Sequence, residues 1–181
     1  MTSPKKTTPP PKAGARPGAA WRSDPRTSVA PRLNSIQGEA LAAEILEILE
    51  PFARAWGAAR TVEACAESIR DGVRWAQTGE GNRDAFEASI ALLTSSPLGA
   101  RLPLASDPDR LTMDPIDRLA LVALAVGARA SIGRFEKFVP IAGLAALASL
   151  SVRTVRKHLE ASEVSPEMAR SYLQGQGVPR I

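Results

Sequence analysis

The spacing of apolar residues predicts an all-α protein in three parts: a disordered basic N-terminal tail, a helical bundle and a C-terminal unit of short helices. Three observations predict it. Apolar residues recur at three- and four-residue steps from Leu41 to Leu173, the period of a helix face. Residues suited to capping stand at the starts of several of these segments, Asn82, Asp114, Ser151 and Ser165 among them. Strand alternation is nearly missing: only residues 178–181 have a strand reading, and Pro179 weakens it. The apolar share of 44% is enough for a core, although much of it is Ala and aromatics are only 4%.

Residues 1–34 form the predicted tail. Pro4, Pro9, Pro10, Pro11, Pro17, Pro25 and Pro31 deny helix and sheet. The segment reads either as a solubilising tail or as a basic arm adding non-specific phosphate contacts. Residues 35–96 form the predicted bundle, a dimerisation or partner region. Leu41, Ile45, Ile48, Leu49, Phe52 and Trp56 make one stripe, with Pro51 predicting a kink or an end near Glu50. That stripe is either core or a dimer seam. Val62, Ala66, Ile69, Val73 and Ala76 make a second helix, with Thr61 as its cap, broken by Gly79, Gly81 and Asn82. Asn82 opens a third helix with Phe86, Ile90 and Leu93 inward. Residues 97–113 hold Pro97, Gly99, Pro103 and Pro108 and read as a linker.

Residues 114–181 form the third part. Asp114 caps a helix with Pro115 in its first turn and Asp117 at its positive end. This helix is apolar nearly all round and should be central to the core. Phe135 and Phe138 read as core; Arg134 and Lys137 beside them are placed to reach a nucleic-acid backbone. Leu144, Ala145, Leu147 and Ala148 then give an apolar helical stripe, interrupted by Ser149, Leu150 and Ser151. Val152, Val155 and Leu159 share one face of a second short helix, whose other face carries Arg153, Arg156, Lys157 and Glu160. Ser151 is its N-cap. Ser165 and Pro166 open a last helix that stops at Gly175.

The order of residues 144–159 resembles the bacterial helix-turn-helix family. It is closest to small winged-helix modules, and is similar to the recognition helices of LuxR-type regulators and of Fis. Ala145 matches the small residue at the helix crossing, Leu150 the buried turn residue, and Val155 the core-facing residue of the recognition helix. Ser149 stands where the family has Gly, because the turn prefers positive φ. The last helix occupies the place of the family's two-stranded wing, so the wing is expected to be absent or vestigial. The resemblance implies double-stranded DNA as partner, with residues 152–161 lying in the major groove. Arg153 and Arg156 would meet base edges; Lys157, Thr154 and Ser151 would meet phosphates; Val152 and His158 complete the expected interface. It implies a transcriptional regulator, or a protein of plasmid or phage replication or maintenance. A module this small implies a homodimer reading two half-sites.

Charge placement agrees with such a partner. Residues 1–32 carry seven Lys and Arg against one acid, residues 33–133 nine against fourteen, and residues 134–181 seven against four. The basic ends suit a polyanion. The acidic middle, residues 38–95, is a possible surface for a protein partner, and a helical adaptor without DNA binding remains the other reading. No enzyme is expected: the lone histidine, His158, lies in the second short helix, no phosphate-cradling Gly-rich loop is present, and no acidic cluster has metal-ligand spacing. No cofactor and no metal are expected. One cysteine, Cys65, excludes an internal disulfide. No membrane-spanning run occurs and the start lacks a signal-peptide core, so a cytoplasmic, nucleoid-associated location is expected.

Overall fold

A computed structural model describes residues 31–56, 59–95, 108–179 and 181. They are mostly helical, as the periodicity predicts. The elements run α1 (Gly38–Trp56), α2 (Ala59–Thr78), α3 (Arg83–Thr94), α4 (Pro115–Gly133), β1 (Val139–Pro140), α5 (Ile141–Ala148), α6 (Val152–Leu159), β2 (Glu163–Val164) and α7 (Pro166–Gly175). Two 3₁₀ turns, Leu33–Ser35 and Pro108–Arg110, stand outside them.

Helix α1 runs through Pro51 to Trp56 rather than ending near Glu50. Proline removes one helical hydrogen bond, but Leu49 and Ala53 on either side of it are buried, and their packing holds the helix together. Helix α2 starts at Ala59, so Thr61 lies inside it and is not its cap. The reversal into α3 takes positive φ at Gly79 and Gly81, and the Asn82 side chain accepts from the Ala85 amide. Phe86 then packs so tightly on α2 that a Cβ on Gly72 would stand 2.1 Å from its ring. Cys65 is buried on α2, and burial pushes its thiol pKa up.

Helix α4 is the central element, packing against α1, α2, α3, α5 and α7. The Asp114 carboxylate caps it through the Ile116 amide, and Asp117 reaches back to the Thr112 amide and hydroxyl. Arg118 on α4 pairs with Glu44 on α1. Arg129, 5% exposed, donates to the Ala76 and Pro179 carbonyls and so joins α2 and the C-terminal stretch to α4. Desolvation lowers its pKa, and its guanidinium lies over the Trp75 ring. One buried cluster runs from Leu33 through α1–α4 to Leu173. The segments on either side of the expected linker therefore share a core. Of that linker, residues 97–107 lie outside the described residues; at 108–113, Pro108 and Leu111 are buried.

Three further expectations are corrected. Residues 31–34 of the expected tail belong to the fold: Pro31 is buried, Leu33 is 1% exposed, and the Gln77 amide donates to the Leu33 and Ile36 carbonyls. Residues 1–30 lie outside the described residues. Phe135 and Phe138 are exposed, not core; Arg170 lies over the first ring and Lys137 over the second. Residue 135 has φ 52° just past the end of α4, which turns the chain away from the core before β1. The only strands among the described residues form not at 178–181 but at β1 and β2, paired antiparallel with Val139 opposite Val164. Both valines are buried, so the pairing closes the core across the short helices. No third strand follows, because Ser165 caps α7 through the Met168 amide.

Candidate nucleic-acid interface

Helices α5 and α6 form the candidate site. Helix α5 is buried along Ile141, Gly143, Leu144, Ala145, Ala146 and Leu147. It meets α4 closely: a Cβ on Gly143 would lie 2.4 Å from the Ala128 Cβ. Ala145, which the resemblance places at a helix crossing, is fully buried, and Gly143 on the same helix lies close against α4.

The turn has the geometry that a left-handed C-cap produces. Ser149 sits at φ 52°, ψ 38°. The Leu150 amide donates to the Ala145 carbonyl at 3.0 Å and the Ser149 amide to Ala146 at 3.2 Å. Serine holds a conformation that suits glycine, at a cost of about 1–2 kcal/mol for a residue with a Cβ. Its hydroxyl lies 3.4 Å from the Asn34 side-chain oxygen and donates to it.

Helix α6 begins with two acceptors at its free amides. Ser151 Oγ accepts from Thr154 N at 3.0 Å. The Asp109 carboxylate accepts from Val152 N, its two oxygens at 3.1 and 3.2 Å. Asp109 comes from the stretch read as linker, and no local signal marks it as a cap because it acts across 43 residues. Val152 and Val155 are buried and Leu159 is half-buried, which fixes the rotation of the helix. Arg153, Arg156, Lys157 and His158 are therefore exposed on the other side.

The expected interface residues divide into four groups. Arg153, Arg156 and Lys157 line a shallow groove with Val152 and Asp109, and form no ion pair with any described residue. Ser151 and Thr154 hold each other, their hydroxyls 2.8 Å apart at the start of the helix. Val152 is a correction: its side chain belongs to the core and its amide is taken by Asp109, so it presents no free group. His158 is hydrogen bonded through Nδ1 to the Tyr172 hydroxyl at 3.0 Å, tying the end of α6 to α7. Burial pushes the Tyr172 pKa up, so the hydroxyl keeps its proton at neutral pH. Arg134, expected to reach a nucleic-acid backbone, is half exposed and lies 3.6 Å from Glu87 on α3.

Three groups from distant sequence join this surface. Arg32, Asp109, Ser149, Leu150 and Ser151 line a cleft of about 230 Å³ beside the α5–α6 turn. Arg110, next to Asp109, is exposed. Among the described residues no group of three His, Cys, Asp or Glu side chains is placed to hold a metal, and no helix is long and apolar enough to cross a membrane. No family model, no curated protein and no solved structure matches the chain.

Proposed function

We propose that the protein is a sequence-specific DNA-binding protein, a transcriptional regulator that lays α6 in the major groove. The observation that carries this reading is the state of the α6 cations. Arg153, Arg156 and Lys157 are exposed together and form no ion pair among the described residues, with Asp109 the one carboxylate lining their groove. The opposite face of the same helix is anchored by Val152 and Val155. A short helix held from behind by buried valines, with exposed cations in front, suits major-groove entry. Arg153 and Arg156 have the donor geometry for guanine O6 and N7, and Lys157 supplies a point charge for phosphate. The chain order around the site, α4–β1–α5–α6–β2, supports the winged-helix likeness, with α7 standing where a third strand would extend a wing.

A homodimer would present two such helices to half-sites about 34 Å apart, one helical turn of DNA. Selection from pooled genomic fragments, followed by fluorescence anisotropy with competitor DNA, tests the proposal. Some fragments should survive competition and be lost with Arg153→Ala/Arg156→Ala. Uniform, salt-labile binding that the double substitution leaves untouched would sink it and favour a helical adaptor. Whether the selected fragments come from promoters or from replication origins separates a regulator from a replication or maintenance protein.

A further inference from the structure

The acceptor that opens α6 comes from outside the helix, and it stands among the α6 cations. Asp109 lies in the turn Pro108–Arg110, between buried Pro108 and buried Leu111, which fix its backbone to the core. Asp109 itself is exposed. Its carboxylate accepts from the Val152 amide, with the two oxygens at 3.1 and 3.2 Å, so the side chain is fixed as well. Asp109, Arg153, Arg156 and Lys157 line one shallow groove around Val152, and among the described residues Asp109 is the one carboxylate lining it. A groove that only bound phosphate would be weakened by a fixed anion, whose charge opposes every phosphate contact the cations make. A groove that reads bases has a use for one.

We infer that Asp109 is a specificity-determining residue that accepts from the N4 amino group of a cytosine in the major groove. The inference rests on the proposed function, since it needs α6 on DNA. In helix-turn-helix docking the N-terminal residues of the recognition helix meet base edges, and Asp109 is fixed to the first amide of α6. An ionised carboxylate only accepts, through about four lone-pair sites, and the Val152 amide is shared between its two oxygens. In the major groove guanine presents the acceptors N7 and O6, and thymine the acceptor O4, all of which repel a carboxylate. Adenine sets the acceptor N7 beside its donor. Cytosine presents the N4 donor with no acceptor on that edge. Arg153 and Arg156 suit guanine, so Asp109 beside them selects a cytosine next to the guanines that they read. On DNA lacking that cytosine no bond offsets the repulsion between Asp109 and phosphate. One residue thus raises affinity for the site and lowers it elsewhere.

The test is site selection from random duplexes with full-length wild type, Asp109→Asn, Asp109→Ala and Arg153→Ala/Arg156→Ala. Anisotropy on single-base variants of the selected site and urea unfolding accompany it. The wild-type motif should hold a cytosine next to its guanines, and changing that cytosine to thymine should weaken wild-type binding about 5- to 150-fold. Asp109→Asn keeps an oxygen for the Val152 amide and removes the charge. It should lose most of the discrimination at that one position, keep the guanine positions, bind non-site duplex more tightly and unfold near the wild-type urea midpoint. Asp109→Ala removes the acceptor too, so it should relax the same position and lower the midpoint. Discrimination kept at every position in both variants overturns the inference and leaves Asp109 a cap alone. Equal loss at all positions also overturns it, since Asp109 would then act only by holding α6 in place. A wild-type motif with no cytosine beside the guanines overturns it without any variant. If wild type selects no motif, or Arg153→Ala/Arg156→Ala keeps the motif, the recognition reading fails and this inference falls with it.

Discussion

The arginines of the bundle and the cations of α6 are the same chemistry put to different uses. On α1–α4 five arginines are paired: Arg54 meets Glu50, Arg70 meets Glu39, Arg74 meets Asp71, Arg83 meets Asp84 and Glu87, and Arg118 meets Glu44, while exposed Arg60 has no ion pair among the described residues. On α6, Arg153, Arg156 and Lys157 meet no carboxylate within the described residues, although Glu160 follows them closely in sequence. An exposed ion pair contributes about 0–1 kcal/mol, so pairing in the bundle adds little stability. What it does is cancel the field of each arginine locally. On α6 the three cations stay without an ion pair, sharing their groove with Asp109, in front of a helix held by two buried valines. A basic residue count does not reveal this difference; the partner of each cation does.

The largest expected effect breaks the comparison on the α6 side. Arg153→Ala/Arg156→Ala should remove on the order of 2–6 kcal/mol of specific binding, at about 1–3 kcal/mol for each bidentate contact. Its folding stability should change by no more than about 0.5 kcal/mol, because both side chains are exposed and neither has an ion pair among the described residues. Anisotropy titration and urea unfolding on the same preparation check both halves. A large stability loss would mean that these arginines serve the fold.

Gly143→Ala should do the reverse. The added Cβ meets Ala128 at 2.4 Å, and overpacking of this kind costs about 1–3 kcal/mol. Urea unfolding should show that loss, and DNA selectivity should fall only as far as α5 and α6 are displaced. Selectivity abolished with stability intact would show that α5 itself carries recognition.

Ser149→Gly sharpens the comparison by strengthening the scaffold alone. Relief of the left-handed strain should outweigh the lost bond to Asn34 and raise stability by about 0.5–1 kcal/mol. For a chain of this size the melting temperature should rise by roughly 1–4 °C. A lower melting temperature would show that the Asn34 bond dominates. The smallest effect is expected in the bundle: Arg54→Ala breaks an exposed pair with Glu50 and should cost no more than about 0.5 kcal/mol. DNA affinity and salt slope should stay at wild-type values in the same titration, and a clear drop would extend the interface to α1.

What was legible before the structure is what acts within a few residues. Asn82, Asp114, Ser151 and Ser165 each bond an amide two or three residues ahead, so the pattern of polar residue and spacing suffices. The rotation of α6 was legible for the same reason, since Val152 and Val155 share a face by helix geometry alone. Even there, Val152 among the expected contact residues conflicted with its place on the apolar face, and burial decided it. Phe135 and Phe138 misled because aromatic residues are usually buried, whereas the positive φ at 135 and the cations of Arg170 and Lys137 keep these rings outside.

The sequence by itself determined the helical class, the local caps and the cationic face of α6. Periodicity and capping are short-range physics, and residue order contains them directly. The tertiary structure alone decided that Asp109 closes the start of α6, that Gly143 lets α5 lie on α4, and that β1 pairs with β2. It also decided that Pro31 and Leu33 dock beside the α5–α6 turn. Each of these joins groups well separated in the chain, and such pairings follow from how helices fill one core, which no local pattern specifies.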